Sequence, residues 1–158
     1  MEIDRERTLR GALAGGIAAT AWALQQPLDK RLFGSRYDDV ELLGRAARPR
    51  GRGWYPVGLA MHVQNGALFG AVYGNVAPRI PLPPVARGVT LAMAENFAFW
   101  PLGRLSDRLH PARDALPRLT GNRRAFWQAA WRHLLFGLVL GEAERRLRSP
   151  RRLGAAPE

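Results

Sequence analysis

The class of fold is decided by one uncharged stretch, WYPVGLAMHVQNGALFGAVYGNVAP, residues 54–78. It contains no Asp, Glu, Lys or Arg, and Trp54 and Tyr55 stand at one end as interfacial aromatic residues do. A transmembrane helix needs about 20 predominantly apolar residues to cross the hydrocarbon core of a bilayer. The stretch therefore predicts a membrane-spanning helix.

Three further blocks with few charges predict three further spans, at about 11–28, 86–103 and 124–142. The first reaches roughly 27 Å at 1.5 Å per residue, close to the bilayer's hydrocarbon thickness of about 30 Å. The second is short, so the arginines at its ends would have to extend toward the membrane surface. The third contains Arg132 opposite an apolar stripe, and an amphipathic helix lying in the membrane interface is the alternative for it.

Together the four blocks predict an all-α fold: an integral membrane four-helix bundle of residues 1–148, followed by a flexible tail, residues 149–158. Four spans place both termini on one side of the membrane. We expect that side to be the cytoplasmic face of a bacterial inner membrane, because the densest arginine cluster flanking any span follows Glu144. The lipid bilayer is the expected partner, and association into a homo-oligomer is open at this stage.

The net charge and the lack of cysteine limit the functions that the chain can have. The chain has 24 Lys+Arg against 13 Asp+Glu, a net charge of +11, and the charges are concentrated in the connectors between the blocks. A soluble basic helical protein that binds nucleic acid is the alternative. Its basic residues should line one helix face instead of filling every connector, so we expect no nucleic-acid partner. Without cysteine the chain has no disulfide, thiolate zinc site or thiol nucleophile.

The sequence contains no motif of a catalytic or cofactor-binding site. It has no phosphate-binding P-loop, no dinucleotide-binding GxGxxG and no serine in a nucleophile elbow. Asp38, Asp39 and Glu41 lack the spacing of a calcium or zinc site and are interpreted as part of a solvated loop. A haem between His62 and His133 is an alternative, but two histidines without a paired pattern do not predict one. We therefore predict neither an enzyme nor a bound metal or cofactor.

Glycines recur every four residues in three of the blocks. Small residues at this spacing let two helix backbones approach closely, which matters in lipid because there is little hydrophobic drive between helices. We therefore predict helix packing through these glycines, either within one chain or between subunits. They are Gly11, Gly15, Gly66, Gly70, Gly74, Gly137 and Gly141.

Six polar side chains fall near one depth of the predicted bundle. They are His62, Asn65, Glu95, Asn96, Arg132 and His133. If the spans are centred near residues 66, 95 and 133, the ionisable members lie within about 6 Å of the membrane midplane. A buried arginine needs a partner, and Glu95 is the only acid in the interior of a block, so we expect an ion pair between Glu95 and Arg132. The cluster is interpreted either as a clasp that fixes the bundle or as a path for a proton or small polar solute.

Between residues 55 and 148 several features occur in a fixed order. The first segment is HVQNGALFGAVYGNVAPRIPLPPVARGVTLAMAENFAFWPLG, in which a glycine-rich span precedes a basic turn with prolines and an aromatic FWPLG exit. That span contains His62, Asn65, Gly70, Tyr73 and Gly74. The second segment is RRAFWQAAWRHLLFGLVLGEAERRLR, which contains His133 and has Glu144 before Arg145 and Arg146. In this order they resemble the YagU-type family of small bacterial inner-membrane proteins of unknown function. The resemblance implies four inner-membrane spans with cytoplasmic termini, and it implies no activity or catalytic residues. The chain departs from the family in its shorter first loop and in Arg132.

Overall fold

The computed structural model describes residues 3–148, and the predicted tail at 149–158 lies outside the described residues. The described chain consists of helices and connecting turns without a strand, so the all-α prediction is confirmed. Its α-helices are α1 (Arg5–Phe33), α2 (Asp39–Ala47), α3 (Trp54–Val76), α4 (Pro84–Phe99), α5 (Gly103–Leu109) and α6 (Arg123–Arg148). Two short 3-10 turns, Ala77–Arg79 and Trp100–Leu102, follow α3 and α4.

The four long helices pack in the order α3, α1, α6, α4. α1 packs along both α3 and α6, and α6 also packs along α4. The short α2 packs on α3. α3 and α4 make few contacts with each other, because a cavity lies between them. The bundle is therefore closed along three helix pairs and open along the fourth.

α1 begins and α6 finishes at the same end of the bundle. Asn75 Oδ1 accepts a hydrogen bond from the backbone N–H of Asp4 at 3.0 Å. Arg10 Nε donates to Glu144 Oε1 at 3.3 Å. The long helices thus alternate in direction, as the predicted arrangement of four consecutive antiparallel elements requires.

The predicted spans fall on α1, α3, α4 and α6, but the helices do not end where the blocks end. α1 begins at Arg5, continues through Pro27 and ends at Phe33. α6 continues to Arg148. Over the described part of the chain, no helix combines the length and the apolar sequence that crossing a membrane requires.

Capping residues explain where α1 ends and α2 begins. α1 ends at Gly34, whose φ of 55° is a left-handed conformation that glycine adopts without steric cost. Four residues later the carboxylate of Asp38 accepts the backbone N–H of Glu41 at 2.9 Å and caps the first turn of α2. This tight connection folds the start of α2 back toward the end of α1.

Glycines bring the helix backbones into direct contact, as predicted, and the contacts lie within one chain. A methyl group on Gly11 would lie 2.1 Å from the carbonyl oxygen of Gly70, and one on Gly15 would lie 2.0 Å from that of Gly66. Gly74 lies against the backbone of α1 in the same way. No side chain larger than hydrogen fits at these positions, so α1 and α3 pack backbone to backbone.

The same device joins α4 to α6 and α2 to α3. Gly137 of α6 meets Gly88 of α4, and a methyl group on Gly141 would lie 2.6 Å from the carbonyl oxygen of Pro84. A methyl group on Gly58 of α3 would lie 2.0 Å from a carbonyl oxygen of α2, a contact that the glycine spacing did not predict. Three helix pairs in the bundle therefore depend on glycine.

Large apolar side chains face outward from this core. In the described chain two leucines are buried, Leu119 and Leu140. Twelve are exposed: Leu9, Leu13, Leu24, Leu28, Leu32, Leu68, Leu82, Leu102, Leu105, Leu109, Leu138 and Leu147. The interior is made mainly of glycine, alanine and a few aromatic rings, with polar side chains buried among them. In a water-soluble helix bundle the apolar stripes face the core, whereas here many leucines lie on the outer surface.

Candidate functional site

Arg132 of α6 is fully buried and joins three parts of the chain. Its Nε and Nη2 atoms donate to the two carboxylate oxygens of Asp29 at 2.6 and 2.7 Å, a bidentate ion pair. Its Nη1 atom donates to Asp39 Oδ2 at 2.6 Å, and Nη2 also donates to the carbonyl oxygen of Tyr37 at 3.1 Å. Gln128 Nε2 donates to Asp29 Oδ1 at 2.7 Å. The guanidinium thereby ties α6 to the end of α1 and the start of α2.

The predicted ion pair between Glu95 and Arg132 is wrong. The prediction treated Asp29 as the boundary of the first span and placed Asp39 in a solvated loop. Because α1 continues past Asp29, that carboxylate is carried into the bundle, where it is 1% exposed. The turn at Gly34 then brings Asp39 back to the same guanidinium. Two carboxylates therefore bind Arg132 and neither is Glu95.

The solvated-loop interpretation of Asp38, Asp39 and Glu41 is also wrong. Asp38 is buried, caps α2 and forms an ion pair with Lys30. Glu41 pairs with Arg45 Nε at 2.6 Å. Each of the three carboxylates therefore has a fixed protein partner. Across residues 3–148 there is no group of three or more His, Cys, Asp and Glu side chains that could hold a metal ion.

Tyr37 and Asp39 keep fixed protonation states at this end of the bundle. Burial raises the pKa of the Tyr37 hydroxyl well above its ordinary value, and the negative charge of Asp39 raises it further. Burial also acts to raise the pKa of Asp39, but the charge of Arg132 and the surrounding donors hold it below its ordinary value of 3.8. Tyr37 therefore stays neutral and donates through Oη to Asp39 Oδ1, while Asp39 stays a carboxylate.

His133, the next residue along α6, shares a proton with Glu95. Its Nδ1 atom lies 2.8 Å from the carbonyl oxygen of Ala129, which can only accept, so Nδ1 is protonated. Its Nε2 atom lies 2.6 Å from Glu95 Oε2. One of these two atoms must carry a proton for them to bond at that distance. A hydrogen bond thus joins the two side chains, and the Glu95 side chain is 35% exposed.

Trp22 contacts both histidines of the predicted cluster with its indole ring. The ring centroids lie 5.1 Å from His62 and 4.8 Å from His133, both edge-on. His62 Nε2 donates to the carbonyl oxygen of Ala19 at 3.2 Å. Both Nε2 atoms therefore face protein oxygen atoms, which does not fit a pair of axial haem ligands.

These side chains surround a cavity of about 360 Å³ between α3 and α4. Five of the six residues predicted as a polar cluster line it: His62, Asn65, Glu95, Asn96 and His133. Arg132 does not line it and is buried behind Asp39, which does. Most of the remaining wall is apolar or aromatic: Trp22, Leu42, Leu43, Phe69, Phe99, Trp100, Leu102, Leu119 and Phe136. The cavity thus combines an apolar body with a few polar groups, as small-molecule sites do.

Two buried N–H groups in this wall have no hydrogen-bond partner within the described residues. They are Nε1 of Trp22 and Nδ2 of Asn96, on side chains of residues that are 6% and 3% exposed. Leaving a buried donor unpaired costs about 1–3 kcal/mol, so each such group in a folded protein needs an explanation. Both nitrogen atoms are fully buried, so neither is exposed to the cavity itself.

Three residues that contact Arg132 were not predicted from the sequence: Asp29, Tyr37 and Asp39. For Asp29 a signal was available, because the buried positions of α1 recur every three or four residues from Gly11 onward. Extending that pattern past Pro27 would have placed Asp29 on the buried face. Tyr37 and Asp39 carry no such signal, because a turn separates them from α1.

Comparison of the chain with protein-family models, with curated proteins and with solved structures gives no match. The resemblance to the YagU-type family therefore stays a prediction.

Proposed function

We propose that this chain is an integral membrane protein of the bacterial inner membrane, whose four long helices face lipid and whose cavity between α3 and α4 takes up a small polar solute or a proton. The observation that carries the proposal is the distribution of side chains, with leucines outside and glycine, alanine and polar residues inside. We further propose that both termini are cytoplasmic, because arginines follow Glu144 at that end of the bundle.

Water is a poor solvent for the outer surface. Moving one leucine side chain out of water is worth about 2 kcal/mol. A soluble fold that left twelve leucines exposed would forgo stabilisation comparable to its whole net stability, usually about 5–15 kcal/mol. In a bilayer the same surface is solvated by acyl chains, and helices associate through close packing of small residues. The glycine contacts between α1 and α3 and between α4 and α6 supply that packing.

Charged side chains are distributed along the bundle as a bilayer would require. Residues 11–28 of α1 and the whole of α3 carry none. The middle of α4 carries only Glu95, which faces the cavity, and the middle of α6 carries only Arg132, which is buried. The other charges lie toward the ends of the helices and in the connectors, where long side chains can reach the headgroup region.

The orientation of the side chains on α6 indicates whether that helix spans the membrane or lies on its surface. Its apolar stripe includes Trp127, Trp131 and Leu138, which are exposed, whereas Arg132 on the opposite face is fully buried. A helix lying in the interface would turn Arg132 toward water and its apolar stripe toward lipid. Because α6 packs between α1 and α4 with its arginine inward, the geometry favours a spanning helix.

The polar cluster then divides into two parts with different tasks. Arg132 with Asp29 and Asp39 is the clasp that fixes the helices, because its hydrogen bonds are complete. The Glu95–His133 pair belongs to the uptake site, because it faces the cavity and holds a proton between its side chains. We propose no enzymatic activity for either part.

Membrane fractionation tests the placement. We expect the expressed protein to stay in the membrane pellet through a carbonate wash at high pH and a high-salt wash, and to be released by detergent. Release by either wash, or a protein never found with membranes, would overturn the proposal. Salt-dependent binding to nucleic acid would then become the leading function.

The absence of cysteine allows a sharper test of which surface meets lipid. Single cysteines replacing Leu24 or Leu68, which are 77% and 58% exposed on the bundle, should resist a membrane-impermeant maleimide in permeabilised vesicles and react after denaturation. A cysteine replacing Arg50 in an exposed connector is the matched control and should react at once. Equally fast labelling of all three would contradict a lipid-facing surface.

A further inference from the structure

Residues 103–122, which we call the cover segment, form part of the wall at one end of the cavity between α3 and α4. The segment consists of α5 and the turns that lead to α6, and its Gly103, Ser106 and Leu119 line the cavity. α5 makes few contacts with α2 and with the four long helices. Because the segment is weakly packed, the side-chain bonds that attach it decide how firmly this end of the cavity is closed.

Asp107 holds the cover segment together internally. Its two carboxylate oxygens accept the backbone N–H groups of Leu119 and Thr120, each at 2.8 Å. These bonds join α5 to the far end of the segment. The segment can therefore move as one piece when its attachment to the rest of the bundle is lost.

His110 attaches the cover segment to α2. Its Nε2 atom lies 2.9 Å from the carbonyl oxygen of Leu42, a residue whose side chain also lines the cavity. Its Nδ1 atom accepts the backbone N–H of Ala112 at 3.1 Å. Among the described residues, the bond to Leu42 is the one hydrogen bond that joins α2 to the cover segment. The imidazole is 9% exposed, so water has little access to it.

These two partners fix the protonation state of His110. A carbonyl oxygen can only accept, so Nε2 carries a hydrogen atom, and a backbone N–H can only donate, so Nδ1 carries none. The imidazole is therefore neutral. A second proton would go to Nδ1 and would set two N–H groups against each other, so the bond to Ala112 would break. Histidine is the side chain that ordinarily changes charge between about pH 5 and pH 8.

The charged side chains around His110 do not compensate a positive imidazole. On α2, on the residues after it and on the cover segment they are Glu41, Arg45, Arg48, Arg50, Asp107, Arg108, Arg113 and Asp114. Each of the three carboxylates already has a partner, either an arginine or backbone N–H groups. Within residues 3–148 no carboxylate pairs with the His110 ring, whose two nitrogen atoms bond to backbone atoms. A buried imidazolium without an ion pair is costly, so the protonated ring is more stable in water.

We propose that His110 is an acid-sensitive latch on the cavity: the neutral imidazole holds the cover segment against α2, and protonation of Nδ1 releases it and opens this end of the cavity. This inference rests on the cavity function proposed above and adds its regulation. The latch lies at the end of the bundle opposite the termini. In the proposed topology that end is the outer face of the membrane, so acid outside the cell would open the cavity.

Labelling of a cysteine in the cavity tests the latch, because the chain has no cysteine of its own. The full-length Ser106→Cys variant in detergent is treated with a maleimide at about pH 8 and about pH 5.5, on either side of the ordinary range of histidine. Each rate is divided by that of Arg50→Cys, in an exposed connector, measured at the same pH. We expect this ratio to rise about threefold to tenfold at the lower pH, the factor that one lost hydrogen bond gives. An unchanged ratio would overturn the proposal.

His110→Asn in the Ser106→Cys background is the matched variant, because asparagine does not titrate in this range. The labelling ratio of the double variant should be the same at both pH values. His62, His133 and the introduced thiol are present in both backgrounds, so their own titration does not distinguish them. A rise that persists in the double variant would therefore refute the latch. His110→Gln serves in the same way if the asparagine variant does not fold.

Amide hydrogen exchange at Ala112 measures the hydrogen bond itself. After correction for the intrinsic exchange rate, the protection of this amide should fall about threefold to tenfold between the higher and the lower pH in the parent protein. It should not change in His110→Asn, because Oδ1 of asparagine can still accept the Ala112 N–H and carries no proton at either pH. Constant protection in the parent would contradict the proposed loss of the bond.

The outcome is independent of the membrane test. A protein that resists the carbonate and salt washes but shows no pH effect that depends on His110 would refute this inference and leave the membrane placement standing. A protein that shows the effect but washes off membranes would refute the placement and leave the latch standing.

Discussion

Arg132 and His133 are neighbours on α6, yet they serve two different regions of the bundle. Arg132 is fully buried, and three of its nitrogen atoms donate to Asp29, Asp39 and a backbone carbonyl. His133 faces the cavity and shares one proton with Glu95, which is partly exposed. Full burial away from the cavity marks Arg132 as part of a structural clasp, whereas the Glu95–His133 pair lies in the cavity wall and is partly exposed.

Helix geometry explains how adjacent residues reach different regions. Successive residues on an α-helix are rotated by about 100° around its axis. That rotation turns Arg132 toward α1 and the start of α2, and His133 toward α4. One helix thus supplies both the clasp and a wall of the cavity.

Removing the charge of Arg132 should reduce stability the most, because it breaks the clasp. Arg132→Met leaves Asp29 and Asp39 as buried carboxylates without a cation, so we expect a loss of about 3–5 kcal/mol in the free energy of unfolding. Thermal denaturation and the yield of monodisperse protein in detergent measure it. Adding Asp29→Asn and Asp39→Asn to the same variant should recover part of the loss. An unchanged melting temperature in Arg132→Met would show that the clasp does not hold the helices.

A second change tests the packing of α1 on α3 without altering a charge. In Gly15→Ala the added methyl group would lie 2.0 Å from the carbonyl oxygen of Gly66, so α1 and α3 must separate and the protein should lose about 1–3 kcal/mol. Gly16→Ala is the matched control, because its methyl group would meet only Val63 Cγ1 at 3.9 Å. The control should be neutral or slightly stabilising, since alanine favours helix over glycine by about 1 kcal/mol. Equal melting temperatures for the two variants would contradict the backbone contact.

A third effect appears at acidic pH and tests the charge of Asp39 in the clasp. The pKa of Asp39 in the folded protein is below its ordinary value of 3.8, so its contribution to stability is complete above that value. The contribution is lost as the pH falls through the lower folded pKa, because the folded state must then accept a proton on Asp39. Melting temperatures measured between about pH 3 and pH 6 should fall at the acidic end, and less steeply in Asp39→Asn. Identical pH profiles for parent and variant would contradict an ionised Asp39 in the clasp.

The smallest effect on stability is expected at the cavity pair. Glu95→Gln removes a carboxylate that is 35% exposed, and glutamine can still donate to His133 Nε2, so the free energy of unfolding should change by less than about 1 kcal/mol. Thermal denaturation beside Arg132→Met gives the direct comparison. A loss as large as that of Arg132→Met would make Glu95 part of the clasp and remove the distinction between the two regions.

The four long helices, the glycines that join them and five of the polar residues around the cavity could be predicted from the sequence alone. These features depend on local periodicity: uncharged runs long enough for a helix, glycines at four-residue spacing, and polar residues on one helix face. His62 and Asn65 could be placed together because both lie on α3, where helix geometry fixes their relation.

The packing of the helices was needed to show which carboxylates bind Arg132 and which way the leucines face. The partner of a long side chain depends on the height and rotation of separate helices, which are set by packing and by where each helix ends. The continuation of α1 to Phe33 carried Asp29 to the guanidinium, and the turn at Gly34 returned Asp39 to it. Glu95 was left to share a proton with His133, because that imidazole, and not Arg132, faces α4.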